Sequence, residues 1–166
     1  ALPISIVFIG LLPLATAIFA ILRGEKRPQH KFWLFAVLGS SSIIAFIYMS
    51  PQEQHPLSAD LYMLAAILLC GLGYAEGGRL SRDLGGLQVI SWALILTLPF
   101  MLLASFYYFP EDFSHVTLSA SLGLLYVSLF SMFIGFIFWY RALALGGVVK
   151  ISQLQLLQPF FGLILA

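Results

Sequence analysis

Charge is what this sequence has least of. Only 9% of its 166 residues are Asp, Glu, Lys or Arg, against roughly 25% in soluble domains. A chain so poor in charge cannot cover a globule with polar surface, and the solvent left to it is lipid. The net charge is +1, so the overall balance implies no nucleic-acid partner. Cysteine is nearly absent. Cys70 stands alone inside an apolar run, which excludes an internal disulfide, leaves no thiolate cluster for a metal and reads as a small buried hydrophobe. His30, His55 and His115 lie in polar stretches without ligand spacing. There is no His-Glu-x-x-His, no Gly-x-Ser-x-Gly and no pair of intramembrane aspartates, so neither an enzyme nor a metal or other cofactor is expected. The glycine-rich stretch 71–78 follows no strand, and a dinucleotide-binding reading fails its context. No cleavable leader is expected within this sequence: residues 4–22 are too long for one and no basic residue precedes them. The chain opens and stops within apolar runs, so both ends are expected to be cuts from a longer protein.

What the sequence has in quantity is apolar length, with 61% hydrophobic residues and a mean hydropathy of +1.00. Crossing about 30 Å of hydrocarbon takes roughly 20 helical residues. Six segments approach that length, at 2–22, 32–49, 61–80, 84–109, 117–140 and 151–166, the last cut short. None alternates with period two, so barrel strands are set aside. The fold class expected is an all-α integral membrane protein, a polytopic helical bundle.

The connections between the spans alternate in sign. Stretches 23–31, 79–83 and 141–150, read as loops, hold all eight Lys and Arg residues. The intervening loops carry none and instead hold Glu53, Asp60, Glu111 and Asp112. Short basic loops stay in the cytoplasm, so the first span is expected to run from outside to inside and the sixth from inside to outside. Tyr107, Tyr108 and Phe109, and at the other side Trp139 and Tyr140, read as interfacial anchors.

Two prolines mark an internal repeat. Pro13 in the first span and Pro159 in the sixth occupy corresponding mid-membrane places, five spans apart. A unit of five helices repeated in tandem inserts with opposite sense, which is the inverted repeat of many secondary transporters, with substrate at the repeat interface. Each proline frees a carbonyl and kinks its helix, and in lipid such a carbonyl is tolerated where protein or cavity water satisfies it. Glu76 is the single acid inside a predicted span. It can couple protons or contact a cationic substrate; the competing reading is a structural ion pair with Arg79, one turn away. Gln155 and Gln158, at i and i+3, share a face beside Pro159 and are read as cavity lining, with Gln153 displaced from them. Tyr126 is a stacking-wall candidate in the fifth span. Gly73 and Gly77, and Ser119 and Gly123, are small pairs read as sites of close helix approach.

Three stretches carry a family resemblance. Leu11-Leu-Pro through Ala20-Ile-Leu-Arg-Gly-Glu-Lys-Arg27 resembles the fourth helix and exit loop of an EamA-type repeat. Trp139-Tyr-Arg-Ala-Leu-Ala-Leu145 with Gly146-Gly-Val-Val-Lys150 resembles the junction of the third and fourth helices of the second repeat. Gly73-Tyr-Ala-Glu-Gly-Gly-Arg-Leu-Ser-Arg82 is similar to the end of that repeat's first helix. Over nearly its whole length the chain is therefore similar to the drug/metabolite transporter superfamily and its EamA-like permeases. The resemblance implies ten helices in two inverted five-helix repeats, of which this chain holds the fourth to ninth. Residues 1–50 would close the first repeat, 51–60 would be an extracytoplasmic linker, and 61–166 would open the second. It further implies a secondary active transporter in the inner (plasma) membrane, moving small metabolites such as amino acids by alternating access. The partners expected are the lipid bilayer, a small-molecule substrate, protons as coupling ion and a second copy in a homodimer. The alternative is a non-transporting membrane scaffold or sensor.

Overall fold

The structure is a computed structural model and describes residues 2–28, 30, 32–34, 36–38, 41, 57–109, 116–158 and 161. Helix α1 is Leu2–Leu22, α2 is Leu57–Leu84 and α3 is Gly86–Tyr107. Helix α4 is Leu118–Gly146 and α5 is Val148–Leu157. Among the described residues there is no strand, and α3, α4 and the Leu61–Leu84 part of α2 are each long and apolar enough to cross a membrane. Large apolar side chains stand outward along them, including Phe100 at 69%, Leu103 at 70% and Leu124 at 70% exposure. Such surface has no place in water and is ordinary in lipid. The molecule is an all-α membrane helical bundle. Most of the predicted span 32–49 and the acidic loops lie outside the described residues.

The helix ends differ from those read in the sequence, and backbone chemistry explains how. Stretch 79–83 is helical, as is 141–146, so the arginines there extend their helices instead of forming loops. Arginine is a good helix former. What stops each helix is a glycine at positive φ, Gly85 at 86° and Gly147 at 83°, a region closed to most side chains. Helix α1 ends in the same manner. Gly24, at φ 95°, donates its N–H to the Ile21 carbonyl at 3.0 Å, and Glu25 donates to that of Ala20 at 3.0 Å, a Schellman end. At its other end α2 starts at Leu57, which takes in part of the linker expected at 51–60. Thr117 caps α4, its Oγ1 accepting from the Ala120 N–H at 3.2 Å.

Helix α2 is the hub, touching all four others. A β-carbon on Gly71 would lie 2.9 Å from Ala15 Cβ and 3.0 Å from the Thr16 nitrogen, so α1 and α2 meet there nearly backbone to backbone. Gly77 lies under the ring of Tyr140 on α4, and Gly78 under Leu143 and Val148. The expected pairs therefore divide. Gly77 does mark a close approach, whereas Gly73 and Gly123 have nothing within 4 Å and belong to open surface. The main core, built on Ala17, Ala20, Ala75, Tyr140, Leu143 and Val148, fills the basic end of the bundle. The outer half of α4, from Leu118 to Ile134, buries nothing.

Candidate functional site

A cavity of about 520 Å³ opens between α2, α4 and α5, lined by Tyr74, Ser131, Phe136, Trp139, Gln155 and Gln158 among others. Each helix supplies its share through a local departure from regular α geometry. Helix α5 begins with one α turn, Val148–Ile151, then tightens to a 3-10 helix over Ser152–Leu157. In that geometry side chains three apart eclipse one another, so Ser152, Gln155 and Gln158 form one row. The chemistry of residue 159 favours the tightening. Proline has no N–H to give the Gln155 carbonyl, and the Gln158 N–H serves that carbonyl instead. At the foot of the row Ser152, fully buried, donates to the Val149 carbonyl at 3.2 Å.

Helix α4 departs in the opposite direction. Val127–Ile134 is a π-helix, and the Gly135 N–H reaches back to the Phe130 carbonyl. A π turn widens the helix and recurs at functional positions. Here it carries Ser131 to the cavity wall, with Gly135 beside it. No residue in this apolar run announces the π turn in the sequence.

The opposite wall is aromatic. Tyr74 on α2 meets Trp139 edge-on at a centroid distance of 5.8 Å, Tyr140 at 6.5 Å and Phe136 at 6.0 Å, spacings at which ring edges and faces attract. The Tyr74 hydroxyl also interacts with the side chains of Cys70 and Gln155. Two residues lining the cavity, one on each wall, hold an unpaired polar atom. The indole Nε1 of Trp139 and the amide Oε1 of Gln155 are buried and have no hydrogen-bond partner among the described residues. A buried donor or acceptor left so costs about 1–3 kcal/mol, and each such group calls for an explanation.

The residues singled out in the sequence are distributed as follows. Gln155 and Gln158 share the cavity with Trp139, for which the sequence favoured interfacial anchoring over substrate contact. Tyr126 does not line it; it is 63% exposed on α4 and stacks on Phe130 at 5.1 Å with ring planes 24° apart. Pro13 is fully buried in α1, which runs through it unbroken, and Pro159 lies outside the described residues. Glu76 pairs with Arg23 at the end of α1 and not with Arg79. The Gly71–Ala15 approach draws the two helices together and supplies a partner across the seam, where the neighbour on its own helix offers only a weak pair. No group of His, Cys, Asp and Glu able to hold a metal occurs among the described residues.

Glu25 was not foreseen. In the sequence it is one charge in a polar stretch between spans. In the fold its carboxylate pairs with Arg82 at the end of α2 and accepts from the N–H groups of Val148 and Val149 at 3.4 and 3.3 Å. One side chain thus ties the ends of α1 and α2 to the start of α5, where unpaired helical N–H groups favour a negative charge.

Comparison with known proteins bears on the whole arrangement. The model of the EamA-like transporter family matches residues 57–166. The chain is also 59% identical over 162 residues to a protein of Bacillus subtilis (strain 168) described as the uncharacterized transporter YdeK. That match covers 98% of this chain and 56% of the relative, so the chain spans just over half that protein's length. No solved structure matches it.

Proposed function

Because the chain belongs to the EamA-like transporter family, we propose that it forms part of a secondary active transporter that passes small polar metabolites, amino acids among them, by alternating access around a central cavity. One observation carries this reading. Trp139 and Gln155, whose indole N–H and amide oxygen are buried without a partner among the described residues, both line one aromatic-walled cavity. A solute with both a donor and an acceptor satisfies the two at once, and its apolar part meets Tyr74 and Phe136. A scaffold that holds no solute has no need of such a pair. Gln158, further out on the same row, serves as second polar contact, and Pro13 and Pro159 as kinks that let the two repeats rock.

The positive-inside rule supports a cytoplasmic basic end, and the reading takes the membrane to be a cell's inner (plasma) membrane. On this reading Glu76 is the coupling candidate. Protonating its carboxylate would release Arg23 and so loosen the tie between α1 and α2. A homodimer is compatible with the bare outer half of α4.

Flux of labelled amino acids into proteoliposomes holding the full-length protein, with and without a pH gradient, tests the reading. Gln155→Leu is expected to raise KM about fivefold with little change in kcat, the loss of one hydrogen bond of about 1 kcal/mol. No flux of any such solute would overturn the proposal. For Glu76→Gln the expected result is flux that no longer responds to the pH gradient; an unchanged response would leave Glu76 as a structural ion pair only.

A further inference from the structure

A second and larger cavity, about 680 Å³, lies at the basic end and has no part in the reading above. Four cations line it, Lys26, Arg27, Arg82 and Lys150, against one carboxylate, Glu25. Two backbone devices assemble them. The positive-φ turn at Gly24 sends Lys26 and Arg27 back across the end of the bundle, and the break at Gly147 starts α5 so that Lys150 faces them. Glu25 is already committed to Arg82 and to the Val148 and Val149 N–H groups. Lys26, Arg27 and Lys150 therefore face the cavity with no carboxylate partner among the described residues.

Like charges gathered in one concavity focus a positive potential there even where, as here, the side chains are exposed, and a bound counter-charge compensates it. The compensating group is anionic, and the donors suit phosphate. A guanidinium grips two phosphate oxygens at once, and ammonium groups add point charges. Phe32 contributes an apolar wall to the same cavity. With the basic end of the bundle taken as the cytoplasmic boundary, the site falls where the helices leave the hydrocarbon, at the depth of lipid headgroups. Basic pockets between membrane helices at this level bind anionic headgroups.

We propose that this cavity binds a phosphoryl anion through Lys26, Arg27 and Lys150, supplied by the headgroup of an anionic lipid or by a soluble phosphate. The site anchors the junction of α1, α2 and α5, the junction that Glu25 ties from within.

The test uses the full-length protein and its triple variant Lys26→Gln/Arg27→Gln/Lys150→Gln. All three side chains are exposed, so the fold tolerates the change; an unaltered thermal midpoint in lipid-free detergent checks this. Lipid retention is read by native mass spectrometry with phosphatidylglycerol and phosphatidylcholine, and soluble binding by the shift in thermal midpoint with inorganic phosphate at constant ionic strength. If the source is lipid, the wild type retains phosphatidylglycerol at least tenfold over phosphatidylcholine and the triple variant loses that preference. If the source is soluble, phosphate raises the midpoint of the wild type and not of the variant. Arg79→Gln removes a cation from the same end but not from the cavity, and is expected to behave as wild type in both assays. A response equal in wild type and triple variant, an equal loss in Arg79→Gln, or no response to either probe would overturn the proposal.

Discussion

Replacing Gly86 with alanine is expected to lower the thermal midpoint of the protein in detergent by about 4–8 °C, the equivalent of roughly 2 kcal/mol. Gly86 opens α3 directly against the inner end of α4. A β-carbon there would lie 2.5 Å from the Ile137 carbonyl oxygen and 3.1 Å from the Arg141 nitrogen. Both are backbone atoms of a helix and cannot swing away as a side-chain tip would. The added methyl must push α3 off α4, and the buried Val89 and Ile90 one turn along move with it. Gly73→Ala is the matched control. Gly73 is also helical, but nothing lies within 4 Å of its missing β-carbon. That change should be neutral or stabilise by up to about 1 kcal/mol through helix propensity. Equal midpoints for the two variants would show that the α3–α4 contact is looser than the structure has it.

Glu25→Ala is expected to be the second most damaging change, and a localised one. It removes the acceptor for two helical N–H groups and strands Arg82. The ion pair by itself contributes little, since Arg82 is 42% exposed and surface pairs are worth about 0–1 kcal/mol. The charge at the start of α5 adds about 1 kcal/mol, the two hydrogen bonds being long. The loss should therefore total about 1–2 kcal/mol. Hydrogen exchange will show where it falls: faster exchange confined to 20–25, 81–86 and 147–152, with the α1–α2 seam at Gly71 unchanged. Glu25→Gln, which keeps an acceptor but not the charge, should fall between. Uniform acceleration over the whole bundle would mean that Glu25 supports global folding and is not a local tie. Under alternating access the same loosening favours opening of the basic end, so transport through Glu25→Ala should show a changed balance of inward- and outward-facing accessibility.

Much of this molecule is legible in its amino-acid order, for a plain physical reason. Burying backbone in lipid leaves only the helix or the closed barrel, so long apolar runs without period-two alternation declare the spans and the fold class without help from packing. The i, i+3 spacing of Gln155 and Gln158 needs only helical periodicity, and the structure's 3-10 turn brings the two into closer register than an α-helix would. Helix ends were harder to read. Charge marks where a helix leaves lipid, but the chain remained helical through Arg79, Arg82 and Arg141 until a glycine at positive φ stopped it.

What no single stretch carries is partnership. Glu76 has a neighbour on its own helix at Arg79, yet it pairs with Arg23, because Gly71 lets α1 approach and Gly73 does not. Glu25 lies in a stretch that carries the family resemblance, but nothing local names its partners, and Arg82, Val148 and Val149 lie far along the chain. The aromatic wall of Tyr74, Phe136 and Trp139, and the cavity that Trp139 and Gln155 line together, exist only where α2, α4 and α5 converge. Composition and periodicity decided that the chain is a bundle of membrane helices with one basic end. The tertiary structure alone decided which charges meet at that end and which polar groups face the cavity, because those depend on how closely the glycines let each pair of helices come together.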